Sequence, residues 1–262
     1  MERAVVVRGG DLEDQTNRAV QRVIETMHDN VGNPITVDEM ARTAMFSKFH
    51  FCRLFQKVTG VSPGRFLAAL RFQRAKHLLV STSLSVTDIS GRVGYTSVGT
   101  FSSRFSSSVG ISPSTYRRLG GVIPRVHIEP TPDLSTPAPS ALEGEVHPPA
   151  DAAVGKVFVG LFPDRIQLGR PARCTLLPGP GSFRLGNVPP GRWYILAHAA
   201  FLDGRRGAPG STQSLSVGSF GPLVVTRPGS AGNVLIQLRP MQPFDPPVVH
   251  ALVDDPSLPH AS

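Results

Sequence analysis

An internal repeat between residues 37 and 116 constrains the fold more than any other feature of the chain. Val37, Met40, Ala44 and Phe46 recur 49 residues later as Val86, Ile89, Val93 and Tyr95. Phe51, Phe55, Gly60, Val61, Ser62, Pro63 and Phe66 recur 50 residues later as Phe101, Phe105, Gly110, Ile111, Ser112, Pro113 and Tyr116. The offset grows by one between the two sets, which places an extra residue in the second turn. Each copy therefore predicts a helix, a short turn, a second helix and a Gly-x-Ser-Pro exit into the next helix.

Residues suited to helix starts fall at the boundaries that the repeat predicts. Thr36 with Glu39, and Ser85 with Asp88, have the spacing of a capping box. The predicted N-caps of the second helices are Ser47 in the first copy and Thr96 or Ser97 in the second. Ser62-Pro63 and Ser112-Pro113 place serine at the N-cap and proline at the first helical position.

The net charge of +8 lies entirely in the helical region. Residues 14–119 contain 14 Lys and Arg against 6 Asp and Glu, and the other residues contain 13 of each. Excess positive charge confined to one compact region is typical of a surface that binds nucleic acid. On charge alone, a solvated basic face is an equally good interpretation.

Composition divides the chain into two domains, an all-α region followed by an all-β sandwich. We predict a disordered N-terminus over 1–13, the helical domain over 14–119, a Pro-rich linker over 120–152, the sandwich over 153–240 and a Pro-rich tail over 241–262. About seven short runs with β-type patterning predict the strands: 155–162, 172–177, 182–188, 192–200, 212–217, 222–226 and 232–239. We expect the linker to separate two folding units, and the helical domain to bind DNA by itself.

Winding the second helix of each copy at 100° per residue separates a core face from an outer face. In the first copy the core face carries Phe51, Leu54, Phe55 and Val58, and the outer face carries Phe49, Cys52, Arg53 and Gln56, flanked by His50 and Lys57. In the second copy Phe101 and Phe105 lie inside, Gly99, Ser102, Ser103 and Ser106 lie outside, and Thr100 and Ser107 lie at the sides. Phe49 fits contact with a thymine methyl group, beside an arginine that can reach guanine. The alternative interpretation of Phe49 is that a neighbouring element covers its ring.

These residues together resemble the AraC/XylS family of transcription regulators over about 14–119. The motifs that carry the resemblance are ITVDEMA (35–41), SKFHFCRLFQKVTGVSP (47–63), SVTDI (85–89), VGY (93–95), FSSRF (101–105) and GISPSTYRR (110–118). The resemblance implies about seven helices, with helix-turn-helix units over about 37–58 and 86–108 joined by a long helix over about 62–80. It also implies that the two recognition helices enter successive major grooves on one side of the duplex.

The resemblance also implies two sets of DNA-binding residues. The base-reading positions are Lys48, Phe49, Cys52, Arg53, Val98, Gly99, Thr100, Ser102 and Ser103. The positions that bind phosphate or position the helices are Ser47, His50, Gln56, Lys57, Thr96, Ser97, Ser106 and Ser107. The family often has arginine at the position of Ser103. Here the arginine is Arg104, which the winding turns toward the buried side, so the second unit is expected to contact phosphates or read DNA shape.

The β half resembles the carboxypeptidase-regulatory or transthyretin-like sandwiches. The resemblance rests on GKVFVGLF (155–162) and FRLGNVPPGRWYILA (183–197). It implies a binding or structural module. Most AraC/XylS members carry the DNA-binding module at the C-terminus, whereas here it comes first.

No constellation in the sequence predicts catalysis, a metal or a cofactor. Gly60-Val61-Ser62-Pro63-Gly64 matches a nucleophile elbow, but a helix precedes it and its repeat copy favours a helix cap. The histidines show no i, i+4 pair. Cys52 is interpreted as a small contact residue, with a redox switch as the alternative. Trp193 and Tyr194 are expected to place one ring in the core, the alternative being a ligand pocket.

The sequence therefore predicts a sequence-specific, double-stranded-DNA-binding transcription regulator that is not an enzyme. The alternative is an architectural DNA-binding or interaction module without an effector. DNA is the expected partner and RNA polymerase a candidate partner, whereas the effector and the choice between monomer and homodimer stay open. Two unpaired cysteines and the lack of a long apolar stretch predict a cytoplasmic protein without a membrane segment.

Overall fold

The computed structural model describes residues 9–121, 141–150, 153–201, 215–226 and 231–249. Within them the helices are α1 (Gly9–Asp29), α2 (Val37–Thr43), α3 (Lys48–Thr59), α4 (Pro63–Ser81), α5 (Val86–Arg92), α6 (Val98–Val109) and α7 (Pro113–Arg118). The strands are β1 (Leu142–His147), β2 (Val154–Phe162), β3 (Arg173–Leu177), β4 (Gly181–Leu185), β5 (Gly191–Phe201), β6 (Leu215–Val225), β7 (Ala231–Gln237) and β8 (Arg239–Pro240). The predicted all-α half followed by an all-β half is confirmed.

The helical half follows the sequence repeat closely. The pair α2 and α3 and the pair α5 and α6 form the two helix-turn-helix units, and α4 is the long helix between them. The second turn (residues 93–97) is one residue longer than the first (44–47), as the change of offset predicted. Helix α1 begins at Gly9, five residues before the predicted boundary at 14. Residues 9–13 contain no proline, so their backbone can extend the helix; residues 1–8 lie outside the described part of the chain.

Phenylalanines at repeated positions build the core of the helical half. Phe51, Phe55 and Phe66 pack in the first unit, with ring centroids 5.5 Å apart for both neighbouring pairs. In the second unit Phe101 and Phe105 have centroids 5.6 Å apart, and Phe105 lies edge-on to an aromatic ring of α4 at 6.0 Å. Because these rings anchor α3 and α6 by one side only, the opposite sides of both helices are left for solvent or a ligand.

The β half is a sandwich of two sheets. The first sheet has the strand order β4-β1-β7, and the second has the order β3-β2-β5-β6-β8. Strand β1 pairs antiparallel with β4 and parallel with β7. Alternate residues of both sheets fill the space between them, including Val146, Val159, Ile195 and Ile236.

Two strand predictions were wrong in detail. The region assigned to the linker contains β1, whose Leu142 and Val146 are buried between charged neighbours. This alternation is only six residues long and lies among prolines, which hid it. The described residues of the run 212–217 and most of the run 222–226 belong to one strand, β6 (Leu215–Val225). Gly218 lies between the two predicted runs; a Cβ there would lie 2.6 Å from a side-chain methyl carbon of Ile236, so the glycine permits close approach of the two sheets.

The two halves have separate hydrophobic clusters, but a loop of the β half and the predicted tail each place side chains in the helical one, and the two separate folding units stay a prediction. Ile166, in the β2–β3 connection, and Val249, near the end of the described chain, are both buried with the helical core. Phe244 packs against the same cluster. Residues 241–249 of the predicted tail therefore lie on the helical half, and Lys76 of α4 donates a hydrogen bond to the Val249 carbonyl at 3.1 Å. The proline content of this segment predicted an irregular backbone. It does not show which of the few apolar side chains are buried.

We expect Val249→Ala to destabilise the helical half although residue 249 lies 173 residues after its α4 contact Lys76 in sequence. Val249 is fully buried, and removing its methyl groups from a packed core should cost about 2 kcal/mol. Urea unfolding followed by helical circular dichroism measures the loss. Val224→Ala is the matched control, because Val224 is 63% exposed. Equal, small effects of both substitutions would contradict the packing of Val249 in the helical core.

Candidate nucleic-acid interface

Reciprocal capping fixes the first helix of each helix-turn-helix unit. The Thr36 backbone N–H donates to Glu39 Oε2 at 2.7 Å, and the Glu39 N–H donates back to the Thr36 hydroxyl at 3.2 Å. Ser85 and Asp88 form the same pair in α5, at 3.2 and 3.0 Å. Both predicted capping boxes are confirmed. They define where α2 and α5 begin, and thereby orient the turns that lead into α3 and α6.

Left-handed glycines end both second helices. Gly60 closes α3 with φ 80°, and Gly110 closes α6 with φ 102°. Each backbone N–H bonds to a carbonyl in the preceding turn. Since the chain turns at these glycines into Pro63 and Pro113, the segment Gly60–Gly64 that matches a nucleophile elbow joins the end of one helix to the start of the next, as its repeat copy indicated.

The outer face of α3 combines an exposed aromatic ring with cationic and polar side chains. Phe49 is 83% exposed, so the alternative in which a neighbouring element covers its ring is not what the structure shows. Arg53, Gln56 and Lys57 are exposed beside it. Cys52 is half-buried and packs against the core, so it presents less of its side chain than predicted. This face can offer an apolar contact and a bidentate donor to the same groove.

The first turn of α3 and its N-cap hold three more of the predicted residues. Lys48 forms an ion pair with Asp38 of α2 at 2.8 Å, and this carboxylate raises the pKa of Lys48. The pair is exposed and is therefore weak enough to exchange for a phosphate. Ser47 is the N-cap residue, but its hydroxyl does not accept the capping bond that was predicted. His50 lies edge-on to Phe46, with ring centroids 5.1 Å apart.

Helix α6 presents a face of small residues. Val98, Gly99, Thr100 and Ser103 are exposed, and Ser102 is half-buried. Of the two predicted caps, Ser97 accepts the bond from the Thr100 N–H at 3.3 Å, and Thr96 precedes it in the exposed turn. The Ser106 and Ser107 hydroxyls donate to backbone carbonyls of α6 at 2.7 and 2.9 Å. The predicted residues of both recognition helices thus lie on solvent-accessible or half-buried positions of two repeated units.

Arg104 is a candidate contact that the sequence analysis placed wrongly. It was predicted to turn toward the buried side, but it is exposed and lies beside Tyr95. The ring of Tyr95 packs on the core beside Phe101, with centroids 5.4 Å apart, and its side chain is a hydrogen-bond partner of Arg104. Arg104 therefore supplies the second unit with the long cationic side chain that its serine face lacks.

Not every cation of the helical half is available to a nucleic acid. Arg71 donates to the carbonyls of Val31 and Asn33, at 3.1 and 2.9 Å, and so fastens α4 to the α1–α2 connection. Arg117 donates to carbonyls at the end of α4 and beyond it. Burial lowers the pKa of Lys76 to about 8. The phosphate-binding charge must come mainly from exposed residues, which include Arg42, Arg53, Lys57, Arg92 and Arg104.

Comparison with known proteins agrees with this geometry. Residues 40–119 match a family described as a helix-turn-helix domain. The chain is 35% identical over 104 residues to the lactose operon transcription activator of Staphylococcus xylosus, which covers 40% of this chain and 37% of that protein. It is 31% identical over 98 residues to the HTH-type transcriptional activator AarP of Providencia stuartii, which covers 37% of this chain and 73% of that protein.

This chain belongs to the AraC family of transcriptional regulators. Among solved structures, a regulator from Chromobacterium violaceum with an AraC-type DNA-binding domain is 27% identical. The likeness covers 41% of this chain and 96% of that one, with a TM-score of 0.39. The chain spans only about a third of the length of the Staphylococcus relative.

Outside the AraC-type units, the described residues add few candidate sites. Trp193 packs on the sandwich core and donates to the Pro189 carbonyl at 2.8 Å, which leaves Tyr194 on the other face. Within the described ranges, no group of three or more His, Cys, Asp or Glu side chains is placed to hold a metal. No helix among those residues is long and apolar enough to cross a membrane.

The capping boxes of the AraC-type units predict acid sensitivity. Hydrogen bonds from the Thr36 backbone and hydroxyl lower the pKa of Glu39, and those from the Ser85 hydroxyl and backbone lower the pKa of Asp88. A carboxyl whose folded-state pKa is depressed stabilises the fold above its unfolded-state pKa, and that stability is lost as pH falls through the folded-state value. The melting temperature should therefore fall between about pH 5 and about pH 3.

The matched test removes the two carboxylates. Glu39→Gln with Asp88→Asn should show a smaller fall in melting temperature over the same pH range, because neutral amides do not titrate. Glu25→Gln, an exposed carboxylate of α1 outside any capping box, should behave like the wild type. If the melting temperature falls by the same amount in the double variant and in the wild type, the capping carboxylates do not cause the acid sensitivity.

Proposed function

We propose that this protein regulates transcription by binding a specific double-stranded DNA sequence with α3 and α6 in successive major grooves. The observation that carries the proposal is the outer face of α3, where the exposed Phe49 ring lies on the same side as Arg53 while Phe51 and Phe55 anchor the helix from behind. An exposed aromatic beside an arginine is costly on a solvated surface and useful against base edges.

Two further features support a role in DNA binding and not in general protein contact. Residues 14–119 carry a net charge of +8, which equals that of the whole chain. The second unit repeats the geometry of the first, with a glycine-ended helix exposed on one side. We propose that α6 adds affinity and register through Arg104 and its serines, whereas α3 supplies most of the base discrimination.

The partners of the β half belong to the same proposal. We propose that it acts as a sensing or protein-contact module, because its Ile166 and Leu168 pack against the helical core and could transmit a change to it. A small-molecule effector and RNA polymerase are the candidate partners. An architectural protein without an effector is the competing function, and the short side chains on the outer face of α6 are the feature that favours it.

Selection of bound fragments from a random duplex pool tests the proposal with the full chain. The expected result is a consensus with two blocks, of which the block under α3 is the more sharply defined. Binding is then measured for the consensus and for a scrambled duplex of equal composition. A ratio of about 1000 or more supports specific recognition. Similar affinities for both duplexes would support the architectural function instead.

A further inference from the structure

The connection between β2 and β3, residues 163–172, contacts the ends of both recognition helices. We call it the bridging loop. At one point the side chain of Arg165 lies against Gly60, the residue that ends α3; a Cβ on Gly60 would be 2.9 Å from Arg165 Cδ. At another point the Gly169 N–H donates a 3.2 Å hydrogen bond to the Ser108 carbonyl in the last turn of α6. One loop from the β half therefore touches both DNA-binding units.

Two more contacts hold the bridging loop in place. Asp164 forms an ion pair with Arg65 in the first turn of α4, the helix that joins the two units. Ile166 is only 2% exposed and is buried within the same hydrophobic cluster as the cores of both units. Leu168 packs against this cluster from the same loop. Because protein interiors are close-packed, a buried side chain of this kind resists displacement of the elements around it.

The short span of the loop turns these contacts into a geometric restraint. Arg165 and Gly169 are four residues apart, so their Cα atoms can be separated by at most about 14 Å. If the ends of α3 and α6 moved apart or rotated against each other, the chain would have to give up one contact or expose Ile166. The contact network therefore opposes any change in the relation of the two recognition helices.

We infer that the bridging loop fixes the spacing of the two recognition helices, and that Ile166 is a positioning residue for the half-site spacing that the protein accepts. The inference rests on the proposed function, since it presupposes that α3 and α6 read one duplex. Adding one base pair between half-sites displaces the second by about 3.4 Å and rotates it by about 35°. Two recognition helices held by a packed loop cannot shift and rotate by these amounts to contact both half-sites. Two helices joined only by α4 could do so.

The test uses the full-length protein and three duplexes that carry the selected half-sites at the selected spacing, one base pair shorter and one base pair longer. The wild type should prefer the selected spacing by about tenfold or more, the loss expected when one unit gives up a good base contact. Ile166→Ala should reduce this preference to about threefold or less, because the cavity it leaves releases the restraint. Ile166→Val, which keeps most of the side chain, should retain the wild-type preference.

A second variant keeps the test decisive if Ile166→Ala unfolds. Arg165→Ala removes the contact with Gly60 without opening a cavity in the core. It too should lower the ratio by which the protein prefers the selected spacing. The ratio between duplexes cancels any uniform effect of the lost charge. Arg184→Ala, an arginine paired with Glu143 on β1, is the matched control and should leave the ratio unchanged.

Different results would contradict the role of the bridging loop and the proposed DNA-binding function. If the Ile166 and Arg165 variants bind all three duplexes more weakly by one common factor, or keep the full spacing preference, the loop is merely structural and the inference is overturned. If the wild type binds the selected and scrambled duplexes alike, the proposed function fails, and the inference fails with it.

Discussion

Replacing Arg53 by alanine is expected to relax base discrimination in one half-site while the other half-site keeps its own. Arg53 is exposed on the outer face of α3 beside Phe49. A bidentate arginine–guanine contact discriminates by about 1–3 kcal/mol, or roughly 5- to 150-fold. Ser103→Ala should change discrimination much less, because a hydroxyl can bond several bases. Affinities across every single-base change in the selected site measure both effects.

Two variants make the interpretation of Arg53 sharper. Arg53→Lys keeps the charge but loses the planar pair of donors, so it should restore part of the affinity and little of the discrimination. Arg184→Ala again controls for the loss of an exposed arginine. A uniform loss of affinity at every sequence from Arg53→Ala, with recovery in Arg53→Lys, would assign Arg53 to a phosphate. Equal losses of discrimination from Arg53→Ala and Ser103→Ala would contradict the unequal roles of the two units.

The affinity for DNA should fall about a thousandfold between 50 and 200 mM salt. If the exposed cations neutralise about six phosphates, the logarithm of the binding constant falls against the logarithm of the salt concentration with a slope of about −5. The reason is the release of condensed counterions, which depends on the number of phosphates contacted and not on the sequence. A titration of the full chain over this salt range measures the slope.

Single substitutions show which cations contribute to that slope. Lys57→Gln removes an exposed charge from α3 and should reduce the slope by about one. Arg184→Gln, in the β half, should leave it unchanged. Arg71 makes a poor control, because it holds two backbone carbonyls and its loss would destabilise the fold. A slope near zero for the wild type would mean that the charge of the helical half does not meet the phosphate backbone.

The helical half could be predicted from the sequence almost residue by residue. Its elements are local and repeated, and capping pairs such as Thr36 with Glu39 determine their ends within a few residues. The same winding argument predicted the exposed outer face of α3. It failed for Arg104, because a long side chain at the boundary of the core can turn either way, and its partner Tyr95 is not apparent from the pattern.

The junction between the halves could not be predicted, because its residues carry no periodic signal. Ile166 lies in a loop, and Val249 follows a run of prolines, so neither looks like a core position in sequence. Their burial depends on contacts between segments that are about 100 to 170 residues apart in sequence, which neither propensity nor patterning encodes. The bridging loop, and with it the restraint on the recognition helices, became visible only in the folded chain.

The central claim is that α3 and α6 read successive major grooves on one side of a duplex. Methylation interference at guanine N7, an atom of the major groove, tests this claim most directly on the selected site with the full chain. If α3 and α6 read successive major grooves, two clusters of interfering guanines lie on one face of the duplex, with their centres about 10–10.5 base pairs apart. A single cluster, or two clusters on opposite faces of the duplex, would contradict it.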